Sequence, residues 1–88
     1  MHNTGQAAVV PEIPIAAPQI RGRETLVRAG AALWRVTTRE GRVIGHLRRL
    51  EHPLGMRFRA ERLHLATNRF IEVGEFWSAD EAVASLRA

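Results

Sequence analysis

The sequence predicts an α+β domain: a three- to four-stranded antiparallel meander with one C-terminal helix packed on one face, preceded by a disordered N-terminal tail. Apolar and polar residues alternate with a period of two through most of residues 32–76, as in half-buried strands. Turn signals interrupt this alternation at Glu40-Gly41 and at residues 52–55. After Ser78 the apolar spacing changes to that of a helix.

The N-terminal part of the chain is predicted to lie outside the sheet. Prolines at positions 11, 14 and 18 disfavour helix and favour an extended, mobile chain. In the stretch that follows, one helical turn is possible over residues 24–28, ended by Gly30. The predicted division is a flexible tail over residues 1–22, a connector over residues 23–31 and the sheet-plus-helix domain over residues 32–88.

The first two strands are predicted to form a hairpin with Gly41 in its turn, because glycine readily adopts the positive φ that a tight turn needs. A two-residue turn there pairs Val36 with Gly45 and Trp34 with Leu47. This register predicts Trp34, Val36, Val43 and Leu47 on the apolar face, and Arg35, Thr37, Arg39, Arg42, Ile44, His46 and Arg48 on the polar face.

The third strand follows the turn at residues 52–55 and keeps the same alternation. Met56, Phe58 and Ala60 continue the apolar face, while Arg57 and Arg59 point to the other side. This strand is therefore expected to extend a face that is mainly basic.

A fourth strand is predicted in the segment FIEVGEFW. Ile71 and Val73 share one phase of the alternation, but Phe76 falls out of step with them. A β-bulge at Gly74-Glu75 is expected to restore the phase, because a bulge inserts one extra residue into a strand.

The last segment predicts a helix that begins after Ser78. Ser78 precedes Glu81 by three residues, which is the capping-box spacing, and Asp80 suits the positive end of the helix dipole. The predicted buried stripe of this helix consists of Ala79, Ala82, Val83 and Leu86.

Composition limits the classes of protein to consider. The chain has 88 residues, no cysteine and a formal net charge of +4. Without cysteine there is no disulfide framework and no thiolate metal site. The apolar stretches are too short to span a membrane, and the first residues lack the pattern of a secretory signal. The sequence thus predicts a cytoplasmic protein with no membrane association.

Charge is unevenly distributed along the chain. Between Arg35 and Arg62 there are eight arginines and three acids, whereas from Phe70 to Ala88 there are four acids and one arginine. A positive stripe on an uncovered sheet face is typical of nucleic-acid binders, and a strand ribbon can enter the major groove. The sequence therefore predicts a small, non-enzymatic, double-stranded DNA-binding protein with an accessory or regulatory role, for which a phage or mobile element is one setting. The predicted contact residues are Arg35, Thr37, Arg39, Arg42, His46, Arg48, Arg57 and Arg59.

Two segments carry a family resemblance. The stretch VGEFWSADEAVASLRA resembles the end of the ethylene-response-factor type domain of plants and of the arm-binding domain of phage-type tyrosine recombinases. The segment LWRVTTREGRV is similar to their first hairpin, and the sequence also resembles small uncharacterised proteins of high-GC bacteria and their phages. The first two resemblances imply a three-stranded sheet laid in the DNA major groove. They assign DNA contact to Arg35, Thr37, Arg42 and Arg48, and structural roles to Gly74, Phe76, Ala82 and Val83.

Other functions have less support in the sequence. The chain has no lysine or tyrosine, and no glycine-rich phosphate loop or paired carboxylates, so we expect neither an enzyme nor a bound cofactor. His46, His52 and His64 are expected to be solvated rather than to form a metal site. The alternative function is a protein-interaction module that binds an acidic partner through the sheet face, a sheet edge or the tail. A homodimer formed through a free sheet edge is compatible with either function.

Overall fold

The computed structural model describes residues 13–87, which form a single antiparallel sheet and one helix. The strands pair in the order of the chain, so the sheet is a five-stranded meander. This architecture confirms the α+β class and the C-terminal helix, but the sheet has five strands rather than three or four. The elements are β1 (Thr25–Gly30), β2 (Leu33–Thr37), β3 (Val43–His52), β4 (Gly55–His64), β5 (Arg69–Phe76) and α1 (Ala79–Ser85).

The additional strand is β1, in the segment for which a connector with a possible helical turn was predicted. β1 pairs with β2 and aligns Leu26 with Val36, which brings the Leu26 side chain against the core. Thr25 and Val27 are branched at Cβ and favour strand over helix. The prediction of a helical turn over residues 24–28 is therefore wrong.

The predicted register of the β2–β3 hairpin is confirmed over most of its length, with Trp34 opposite Leu47 and Val36 opposite Gly45. The register then shifts by one residue, so that Thr37 lies opposite Val43. Ile44 is the extra residue of this bulge, and it packs against the core. The predicted assignment of Val43 to the apolar face and Ile44 to the polar face is wrong, because a bulge reverses the phase beyond it.

The core lies between the sheet and α1. The helix rests mainly on β4 and β5 and begins at Ser78, whose hydroxyl accepts a hydrogen bond of 3.0 Å from the Glu81 amide. That bond confirms the predicted cap. The buried core residues are Trp34, Val36, Leu47, Phe58 and Ala60 from the sheet, and Ala79, Ala82, Val83 and Leu86 from the helical segment.

A bulge in β5 also restores the alternation, one residue earlier than predicted. Ala60 lies opposite Gly74 and Glu61 opposite Glu72, so Val73 is the extra residue. Beyond this bulge Phe76 packs against the core. The predicted bulge is thus present, but at Val73 instead of Gly74-Glu75.

Residues 13–22 pack along the core, although a flexible tail was predicted there. Ile15 and Ile20 contact the core cluster. The Ile15 amide donates a 2.9 Å hydrogen bond to the Ala31 carbonyl, and the Arg21 amide donates one of 2.7 Å to Asp80. Prolines prevent this segment from joining the sheet or forming a helix, but they do not prevent its isoleucines from being covered. We call residues 13–22 the N-terminal strap; the remainder of the predicted tail lies outside the described residues.

The helix is too short to cross a membrane, and among residues 13–87 there is no other helix that could do so.

Candidate nucleic-acid interface

The sheet surface opposite α1, here called the bare face, is built from alternate residues of β2 to β5. Core residues occupy one side of each strand, so their neighbours project from the other side. The register aligns these projecting residues in rows across the sheet. One row contains Arg35, His46, Glu61 and Glu72, and the next contains Arg48, Arg59 and Glu75.

Two of the predicted contact residues, Arg57 and Arg59, are bound to acids of β5. Arg59 lies 3.1 Å from the Glu75 carboxylate and 3.5 Å from that of Glu72. Arg57 lies 3.6 Å from the Glu75 carboxylate and also donates a 2.7 Å hydrogen bond to the Glu75 carbonyl. The hydrogen bond that Arg59 donates to the Glu75 carboxylate, together with the nearby carboxylates, raises the pKa of Arg59. At this end of the bare face the positive charge is therefore largely compensated within the molecule.

His46 and Arg48 share a single acid, Glu61. The Glu61 carboxylate lies 3.7 Å from His46 Nδ1 and 3.6 Å from Arg48 Nε. Burial lowers the pKa of His46, since the opposing effect of Glu61 is smaller and the cations Arg35 and Arg48 act in the same direction as burial. His46 therefore contributes an uncharged ring to the bare face at neutral pH.

Three arginines toward the β2–β3 end of the sheet have no carboxylate partner in the described residues: Arg35 lies on the bare face, and Arg39 and Arg42 lie in the turn. Arg35, Arg39 and Arg42 are exposed, and no carboxylate among residues 13–87 lies within ion-pair distance of them. The nearby side chain of Thr37 donates a 3.3 Å hydrogen bond to the Thr25 carbonyl on β1. These three arginines form the hairpin cluster.

The turn that carries the hairpin cluster is closed by several hydrogen bonds. The Thr38 amide donates to the Arg42 carbonyl at 2.7 Å, and the Thr38 hydroxyl accepts from the Arg42 amide at 3.1 Å. Gly41 has the predicted positive φ, 91°, and its amide donates to the Thr38 carbonyl at 2.8 Å, but the turn spans residues 38–42 and not the two residues predicted. This closed turn displays Arg39 and Arg42 at a fixed place beyond the sheet.

The predicted contact residues thus divide into two groups. Arg35, Thr37, Arg39, Arg42 and His46 lie together toward the β2–β3 turn, with Arg48 at their border. Arg57 and Arg59 lie farther along the sheet and are held by β5.

Phe70 is a residue of the bare face that the sequence did not reveal. Its ring stacks on that of His46, with centroids 3.7 Å apart and an interplanar angle of 7°. The two residues are 24 positions apart in the sequence, so only the sheet register brings them together.

Trp77 lies at the opposite end of the bare face and is half-exposed. The Arg57 guanidinium sits 4.2 Å from the centre of its ring, and His52 approaches it edge-on at 5.2 Å. This cluster is separate from the hairpin cluster, because it lies where β3 ends and β5 runs into the helix.

No group of three or more metal-ligating side chains comes together in the described part of the chain.

Comparison of the chain with protein-family models, with curated proteins and with solved structures gives no match. The family resemblance described above therefore stays a prediction.

Proposed function

We propose that this chain is a small, non-enzymatic cytoplasmic protein that binds double-stranded DNA in an accessory or regulatory role. The observation that carries the proposal is the hairpin cluster: Arg35, Arg39 and Arg42 are exposed together without a carboxylate partner in the described residues. Thr37, His46 and Arg48 border this cluster and complete the proposed contact surface.

The pairing of the arginines decides which of them should bind phosphate. The hairpin cluster can bind phosphate without breaking an ion pair, whereas Arg57 and Arg59 must first leave Glu75. A planar guanidinium matches phosphate oxygens and guanine edges in a bidentate manner. β2 and β3 lie within the five-stranded sheet, flanked by β1 and β4, so the turn between them is the part that can present Arg39 and Arg42 to a DNA groove, as strand-based readers do.

Fluorescence anisotropy with a labelled mixed-sequence duplex tests this proposal between about 50 and 200 mM salt. We expect log K to fall linearly with log salt, with a slope of about −3 for three neutralised phosphates. Arg39→Ala/Arg42→Ala should make this slope shallower by about two units. The matched control, Arg57→Ala/Arg59→Ala, removes the same charge and should change the slope by less than about one unit.

Two outcomes would contradict the proposal. The function is wrong if the wild-type protein binds no duplex at about 50 mM salt, where electrostatic binding is strong. The assignment to the hairpin cluster is wrong if the two double variants lose affinity equally.

Docking of a partner protein is a second candidate function, favoured by the exposed ring of Trp77. Tryptophan and arginine are enriched among the residues that dominate protein interfaces, and Trp77 is 51% exposed beside Arg57. Trp77→Ala should abolish capture of such a partner by the immobilised protein and leave duplex anisotropy unchanged. Capture that persists in this variant would remove the support for docking at Trp77.

A further inference from the structure

The stack of Phe70 on His46 forms a small aromatic platform on the bare face. The His46 side chain is 15% exposed and Phe70 is 37% exposed, so Phe70 is the outer ring of the pair. One face of the Phe70 ring rests on the His46 imidazole, and part of the remaining ring surface is exposed to solvent. A large aromatic ring in this position does not serve the core, which lies on the other side of the sheet.

Cations surround the platform on the side of the β2–β3 turn. Arg35 is the cross-strand partner of His46, and both Arg35 and Arg48 are close enough to His46 to influence its charge. Phe70 on β5 pairs with Leu63 on β4. Leu63 follows Arg62, which pairs with Gly45 on β3, so Phe70 lies one residue closer to the β2–β3 turn than Gly45 does. The outer ring and Arg35 thus lie toward the same end of the bare face, which adjoins the turn that carries Arg39 and Arg42.

The acids near the platform are already engaged. Glu61 lies 3.6 Å from Arg48, and Glu72 lies 3.5 Å from Arg59. The charge that has no carboxylate partner in the described residues at this end of the bare face is therefore positive, with Arg35 opposite His46 and with Arg39 and Arg42 in the adjoining turn. An exposed ring beside free guanidinium groups is complementary to a nucleotide, which joins a flat base to a phosphate.

We propose that the exposed face of Phe70 stacks with one unpaired nucleobase, so that this end of the bare face binds single-stranded DNA as well as duplex. This inference rests on the proposed DNA binding and adds a subsite to it. Stacking needs a base whose face is open, and the bases inside a duplex have both faces covered by their neighbours. Arg35, Arg39 and Arg42 hold the phosphates next to the stacked base.

Trp77 is a poorer platform for this purpose. The Arg57 guanidinium lies 4.2 Å above its ring, and the nearest arginines are bound to Glu75. Trp77→Ala therefore serves as a control in which an exposed aromatic ring is removed at the other end of the face.

The test compares a labelled single strand of about 12 nucleotides with the same sequence as a duplex, both by anisotropy. Phe70→Leu should weaken binding of the single strand about tenfold and leave duplex binding within about twofold. Phe70→Tyr keeps the flat ring and should bind like the wild type. A single strand with abasic sites keeps its phosphates, so its affinity should already be low and should not respond to Phe70→Leu. Circular dichroism establishes that each variant is folded.

The outcomes separate the subsite from the proposed function. If the wild type binds neither probe at about 50 mM salt, DNA binding itself fails and the subsite fails with it. If duplex and single strand both bind but Phe70→Leu behaves like the wild type, only the stacking subsite is overturned. The subsite is also overturned if Phe70→Leu weakens both probes equally, or if Trp77→Ala gives the same selective loss.

Discussion

At the scale of single residues, Gly45 shows how closely the helix approaches the sheet. A Cβ atom at this position would lie 2.9 Å from Leu86 Cδ1 and would also collide with the Glu61 carbonyl of β4. Backbone cannot move aside as readily as the end of a flexible side chain. Gly45 thus lets Leu86 cover the centre of the sheet, next to the bulge at Ile44.

We expect Gly45→Ala to lower the free energy of unfolding by about 1–3 kcal/mol, because the added Cβ would collide with the Glu61 carbonyl of β4 and with Leu86. Gly30→Ala is the matched control, since its Cβ would lie 3.4 Å from Leu33 Cβ in ordinary contact. That variant should stay within about 0.5 kcal/mol of the wild type. Urea unfolding followed by circular dichroism measures both. Equal free energies of unfolding for the two variants would show that a Cβ at position 45 fits beside Glu61 and Leu86 without cost.

The sequence was sufficient to predict residues such as Trp34 and Leu47, because strict alternation assigns them to one face. It was not sufficient for Val43 and Ile44, since both are apolar β-branched residues and either phase suits the pattern. Only the bulge places Ile44 against the core.

At the scale of elements, the sequence predicted the strongly patterned strands and the helix but missed β1. β1 is an edge strand that contributes only the half-buried Leu26 to the core cluster, so its alternation is weak. The N-terminal strap was missed for a different reason. Its prolines disfavour regular helix and strand, and local rules do not reveal the tertiary packing of an irregular segment.

The N-terminal strap gives a prediction at this scale, because Ile13 and Ile15 are only two residues apart but differ in burial. Ile15 packs against the core, and its carbonyl accepts a hydrogen bond from the Arg28 side chain, whereas Ile13 is 86% exposed. We expect Ile15→Ser to lower the free energy of unfolding by roughly 1 kcal/mol, since a half-buried apolar side chain is lost. Ile13→Ser should change it by less than about 0.5 kcal/mol. Equal urea midpoints for the two variants would mean that the strap does not contribute to stability.

At the scale of the whole molecule, pairing across the sheet redistributes the charge that the sequence shows. Counting along the chain separates a basic middle from an acidic end, which predicts a positive face that includes Arg57 and Arg59. The fold turns Glu72 and Glu75 toward those same arginines. The positive charge that stays unpaired on the bare face is thereby confined to the β2–β3 end. The sequence was enough to predict that one face of the sheet carries the candidate site. It was not enough to predict which arginines of that face stay unpaired, because this depends on the register between β4 and β5.

An ion pair also joins the first and last parts of the folded domain. Arg87, just after α1, forms two hydrogen bonds of 2.8 and 3.0 Å with the Glu24 carboxylate, just before β1. The Glu24 side chain is only 12% exposed. The hydrogen bond from Arg87 lowers the pKa of Glu24 below its ordinary value of 4.5, against the opposing effect of burial. This pair connects the first strand to the last helix without sharing residues with the bare face.

The lowered pKa predicts how stability depends on pH. Because the folded protein binds a proton at Glu24 less readily than the unfolded chain, the ion pair stabilises the fold fully above pH 4.5. This contribution is lost as the pH falls below 4.5 and through the lower pKa of the folded state. Glu24→Gln should therefore unfold at lower urea than the wild type at pH 7, and the difference should shrink steadily between about pH 4.5 and pH 3. Glu51→Gln is the control, since that carboxylate is 86% exposed and lies 3.6 Å from Arg49, a surface pair that contributes little. A difference between Glu24→Gln and the wild type that stays constant from pH 7 to pH 3 would show that the contribution of Glu24 comes from packing and not from its charge.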